Sequence, residues 1–139
     1  MSWAQEYARE MENLAQMDPE RLVDISKVIG EQTARILKMN QIRRFLDALR
    51  KIEQDFHQLT VLKSPDEASQ QKAKIKQSLA MLRPKLAYAA GRERNIRDLM
   101  VVLEPAIQAA TRSPETSFEK LLRLMESIIA YHRFFGGTN

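Results

Sequence analysis

Arg43 and Arg50 stand seven residues apart, as do Arg44 and Lys51 one position over, and as do Lys85 and Arg92 farther along. On an α-helix that interval is two turns, so each pair marks a line about 10 Å long on one face. Cations so spaced can follow a phosphate backbone, contacting its oxygens without reading bases. Arg83 belongs to the second group, in LRPKLAYAAGRERNIR at residues 82–97, where Arg83, Lys85, Arg92, Arg94 and Arg97 meet a single acid, Glu93. The candidate anion-binding set is therefore Arg43, Arg44, Arg50, Lys51, Arg83, Lys85 and Arg92. Arg83 has an internal ion pair as its alternative, and Arg133 is equally explained by the dipole of the last helix. Tyr88, amid these cations, reads as a core residue with an internally bonded hydroxyl rather than as a platform for stacking bases.

Other chemistry finds no constellation. His57 and His132 are far apart, and neither belongs to a pair at metal-binding spacing. The four glycines, Gly30, Gly91, Gly136 and Gly137, form no phosphate-cradling loop. Cysteine is absent, which removes disulfides, thiolate zinc sites and thiol nucleophiles together. His132 is the one candidate general base with a distinctive place, because it falls on an apolar stripe. A hydrogen-bonded core histidine accounts for it better, since no partner acid is evident. The expectation is a protein without enzymatic activity, metal or cofactor.

The chain has 139 residues and a net charge of +4, unevenly spread. Residues 1–37 hold 4 basic and 7 acidic side chains, residues 38–97 hold 14 and 6, and residues 98–139 hold 4 and 5. A basic middle between mildly acidic ends has two readings: a solvated lysine-rich surface, or one positive face that meets a polyanion. Apolar residues make up 44% and charged residues 29%, which suits a globular domain. No apolar run is long enough to span a membrane, and the N-terminus lacks a signal-peptide pattern, so the expected setting is soluble and cytoplasmic.

Periodicity supplies the elements that must position these groups. Trp3, Tyr7, Met11 and Leu14 recur at helical spacing, and Asp18-Pro19 restarts the chain as a cap followed by proline. Leu22, Ile25, Ile29 and Ile36 continue one face. Asn40 is placed to cap the next helix, whose stripe is Ile42, Phe45, Leu46, Leu49, Ile52, Phe56 and Leu59. Ser64 and Glu67 make a capping box, as do Thr116 and Glu119. Leu79, Leu82, Leu86 and Ala90 carry one face through the basic stretch, with Ala87, Ala89 and Gly91 small enough for close packing, and Gly91 able to turn the chain. Pro84 and Pro105 fall inside helical patterns without a capping residue before them, which predicts kinks near both. The fold class is all-α, a compact bundle of five to six helices in a single domain over 1–139. Residues 1–17 form an N-terminal extension of a core bundle at 18–137.

Three stretches carry a family resemblance. LRPKLAYAAGR at 82–92 and MESIIAYHRFFGG at 125–137 resemble the two signature stretches of the small helical subunit of type III-A CRISPR–Cas effector (Csm) complexes. NQIRRFL at 40–46 resembles that family's second block, which usually opens with threonines and a serine. Lys38-Met39-Asn40 stand there instead, so the hydroxyl contacts of that block have no counterpart here. The similarity spans roughly residues 20–137.

The resemblance implies a non-catalytic subunit of a ribonucleoprotein active in antiviral defence. Its copies would line the channel in which guide RNA pairs with target RNA. Implied partners are guide RNA and target RNA, the backbone subunit, the large signature subunit and further copies of the chain; a membrane is not among them. Cleavage would belong to the other subunits. Arg43, Lys85 and Arg92 match basic positions of the family motifs. A rival from another class is a helical adaptor whose basic face binds an acidic protein partner without RNA. A third, a small DNA-binding bundle, lacks a recognition-helix signature.

Overall fold

The computed structural model describes residues 3–62 and 64–139. Its α-helices are α1 (Trp3–Met11), α2 (Pro19–Thr33), α3 (Met39–Leu59), α4 (Pro65–Ala80), α5 (Leu82–Arg92), α6 (Arg97–Arg112) and α7 (Pro114–Phe134). Short 3-10 turns lie at Leu14–Gln16 and Arg94–Ile96, and no strand is present among the described residues. Because α4 and α5 meet at one residue, Met81, they count as one interrupted helix. The expected all-α bundle of five to six helices is what forms.

The interruption lies close to where Pro84 predicted a disturbance. Met81 stays right-handed at φ −72° and ψ −11°, closing α4 and opening α5. Pro84 then occupies the third position of α5, where a missing N–H costs no helical bond. The outcome is thus a restart three residues earlier, not a kink at the proline. Pro105, by contrast, sits inside α6, which runs on through it. The Val101 carbonyl loses its helical partner there, and Val101 is exposed, so water can replace it.

Helix starts follow local chemistry more closely than the sequence reading did. Ser64 accepts a bond from the Glu67 N–H, as expected, with Pro65 opening α4. The cap of α3 is Lys38 and not Asn40, because Gln41 reaches back to accept a bond from the Lys38 N–H at 2.8 Å. The proposed cap at Thr116 is inside α7, which already starts at Pro114, and the Thr116 hydroxyl donates to the Ser113 carbonyl at 3.2 Å. Ile36 lies beyond the end of α2 and is exposed.

The core is one cluster contributed by every helix, with Ile25, Ile29, Ile42, Leu49, Leu79, Leu86, Leu103 and Leu121 fully or nearly fully buried. The last helix, α7, packs on α2, α3 and α6, so it is the axis of the bundle. Its closest crossing is at Gly30 of α2, where an added Cβ would lie 2.6 Å from the Tyr131 Cβ and 2.7 Å from the His132 backbone nitrogen. Only a residue without a side chain fits between two helices at that distance. The N-terminal helix docks on α6, burying Ala4 and Met11 with Trp3 and Tyr7 packed against the same core. Polar ties add to this packing. Lys120 Nζ donates to the Ala15 and Met17 carbonyls at 2.8 and 2.7 Å. Arg21 forms a two-pronged pair with Glu10 at 2.6 and 2.8 Å. The Arg21 hydrogen bond holds the Glu10 carboxyl below its ordinary value.

Candidate nucleic-acid interface

The α4–α5 run lies antiparallel to α3, and this pairing decides which cations meet. Near the end of α3, Lys74 reaches Asp55 at 3.4 Å and Gln71 bonds Gln58 at 3.1 Å. Toward the start of α3, Phe45 and Leu49 line a small apolar gap with Leu82. Beyond α5, Asn95 donates to the Ile36 carbonyl at 3.2 Å, just before α3 begins. The two helical runs therefore lie antiparallel, with α4 packed on α3 and α5 packed on α6.

Each helix has two flanks, and ion pairs identify them. On α3, Arg50 pairs with Glu126 of α7 at 3.4 Å, so the line Arg43–Arg50 faces the α7 side. Arg43 also contacts the Met39 sulfur at 3.0 Å. Asp55 faces the α4 side. Arg44 and Lys51 lie about 100° around the helix from Arg43 and Arg50, away from the core stripe and toward α4–α5. On α5, Arg83 pairs with Glu104 of α6 at 3.0 Å, the internal ion pair weighed for it. The flank of α5 away from Arg83 carries Lys85, Tyr88 and Arg92, at i, i+3 and i+7, in line with Met81 just before the helix.

The seven candidates are thus divided. Arg44 and Lys51 share one flank of α3, Lys85 and Arg92 share one flank of α5, and none of the four forms an ion pair among the described residues. All four side chains are exposed. Arg43 and Arg50 stand on the far flank of α3, and Arg83 is turned to α6. Lys38, the cap of α3, is also exposed near the Asn95 end, a cation the spacing argument passed over because it precedes the helix.

Tyr88 differs from its expected place. It is 61% exposed, and its hydroxyl bonds nothing among the described residues. The core face of α5 is Leu82, Leu86 and Ala90, and Tyr88 lies two residues, some 200°, around the helix from Leu86. The Arg92 guanidinium stands 5.8 Å from the ring centre, within cation–π range. The small residues also behave differently from expectation. Ala90 is buried, but Ala87 and Gly91 are exposed, nothing lies within 4 Å of where a Gly91 Cβ would be, and α5 continues through Gly91 without turning.

His132 is fully buried, with Nε2 at 2.7 Å from the Leu37 carbonyl, which makes it the hydrogen-bonded core histidine expected of it. A cleft of about 860 Å³ lies where α3, α4 and the α6–α7 corner meet; its floor is Phe56, Ile75 and Phe118, and its rim mixes Lys72, Lys76 and Arg112 with acids. Among the described residues no group of three or more His, Cys, Asp or Glu side chains could hold a metal ion. No helix there is long and apolar enough to cross a membrane.

Comparison with known proteins agrees with the motifs. No curated protein and no solved structure matches the chain. The family model described as Csm2 Type III-A matches residues 16–138, from the turn before α2 to the C-terminal residues beyond α7. With both signature stretches and nearly the whole bundle inside that match, the chain belongs to the Csm2 Type III-A family, structural subunits of the type III-A CRISPR (Csm) complex.

Proposed function

We infer that this subunit is an RNA-binding wall of the ribonucleoprotein, lining the channel in which guide RNA pairs with target RNA. It does so without catalysis, beside the backbone and large subunits and further copies of itself. The observation that carries this reading is two lines of exposed cations, none of which forms an ion pair among the described residues. Arg44 and Lys51 form one line on α3, and Lys85 and Arg92 the other on α5, each pair two helical turns long. Cations without a counter-charge give up little when they meet phosphate, whereas Arg83 and Arg50 must first leave Glu104 and Glu126. Phosphate contacts carry no sequence information, which suits an assembly whose specificity resides in base pairing.

The test is binding of unrelated RNA sequences to the folded chain carrying Arg44→Glu and Lys85→Glu together. Affinity should fall by a similar factor for every sequence, with helical content and Tm unchanged. Arg83→Glu alone should weaken RNA binding much less than the double change. Undiminished RNA binding by the double variant, alongside lost binding to an acidic partner subunit, would make the cation lines a protein-docking surface instead.

A further inference from the structure

We propose that Tyr88 is a stacking platform for an unpaired RNA base, the base whose neighbouring phosphates Lys85 and Arg92 contact. The inference rests on these cation lines being the RNA-binding surface and adds to it a contact of another kind. An exposed tyrosine by itself is ordinary on a protein surface. This one shares a helix flank with Lys85 one turn before it and Arg92 one turn after it, and no acid lies on that flank between Met81 and Arg92. Its ring is 61% exposed. One face is addressed by the Arg92 guanidinium at 5.8 Å, which steadies the ring and leaves the opposite face open. Cations that track a backbone, interleaved with an aromatic ring, are the combination that holds single-stranded nucleic acid, because every base has a π-face and every linkage a phosphate. The occupant follows from charge and shape: an acidic peptide would satisfy Lys85 and Arg92 but offers no flat partner to the ring. A fully paired duplex offers phosphates but keeps its bases stacked within the helix.

The experiment measures affinity of the full chain for single-stranded RNA, for an oligonucleotide of equal length with abasic sites, and for duplex RNA. Tyr88→Leu removes the ring, Tyr88→Phe keeps it and removes the hydroxyl, and Lys85→Glu reports on the phosphate contacts. Tyr88→Leu should weaken single-stranded RNA binding about 5- to 100-fold, while Tyr88→Phe stays within about twofold of the parent. The abasic and duplex ligands should bind Tyr88→Leu and the parent alike. Equal affinity of the parent and Tyr88→Leu for single-stranded RNA, with Lys85→Glu still weakened, would overturn the stacking contact and leave the cationic RNA surface intact. A loss in Tyr88→Phe as large as in Tyr88→Leu would overturn it too, by assigning the effect to the hydroxyl. Indifference of all three variants, or a parent that binds no single-stranded RNA at low salt, would overturn both the stacking contact and the cationic RNA surface.

Discussion

A histidine on an apolar stripe must satisfy its ring from whatever the fold brings near, and for His132 that is the Leu37 carbonyl, 95 residues away in sequence. A carbonyl only accepts, so Nε2 donates to it, and Nδ1 has no partner among the described residues. Gly137 packs its backbone against the same ring, and its N–H closes on the His132 carbonyl at 2.8 Å. The ring therefore joins the C-terminal turn to the α2–α3 connection. His132→Phe keeps the ring's bulk but leaves the Leu37 carbonyl buried without a donor, which should cost about 1–3 kcal/mol by denaturant unfolding. RNA affinity of the folded variant should be unchanged. The burial of His132 was legible from its position among Phe118, Leu121, Leu122, Met125 and Ile129; its partner was not, because nothing local to residue 132 points to residue 37. Tyr88 was misread for a different reason. Aromatic character was allowed to outweigh the helical arithmetic that already set it across the helix from Leu86.

At the scale of elements, the sequence was most informative where one stripe repeats over several turns, as in α3, whose Ile42, Leu46, Leu49 and Ile52 are all buried. Helix ends were less legible. Met81 breaks the α4–α5 run three residues before the proline responsible, and Gln41 moves the cap of α3 from Asn40 to Lys38. The tightest constraint between elements, Gly30 against Tyr131 and His132, left no periodic trace, because a missing side chain makes no pattern. Gly30→Ala should force α2 and α7 apart and destabilise the protein by about 1–3 kcal/mol, even though alanine favours helix. Chemical denaturation of the variant checks this. A gain in stability would mean that α2 and α7 do not cross so closely.

Over the whole molecule, the excess positive charge between residues 38 and 97 is carried by α3 and the α4–α5 run, which lie antiparallel. Two cation lines, distant in sequence, lie on α3 and α5, while Arg50 and Arg83 are engaged by Glu126 and Glu104 on other flanks. Charge and spacing identified the lines; which flank of each helix met an acid depended on long-range packing that composition does not encode. The central claim is that these cation lines neutralise RNA phosphates within the assembled complex. It is tested most directly by the salt dependence of target RNA binding to the guide-loaded complex, with the parent subunit or with Arg44→Glu and Lys85→Glu. Each lost phosphate contact removes about 0.7–0.9 from the log–log slope, so the variant complex should bind more weakly with a slope flatter by about 1.5. Equal affinity and equal slope for the two complexes would contradict the account.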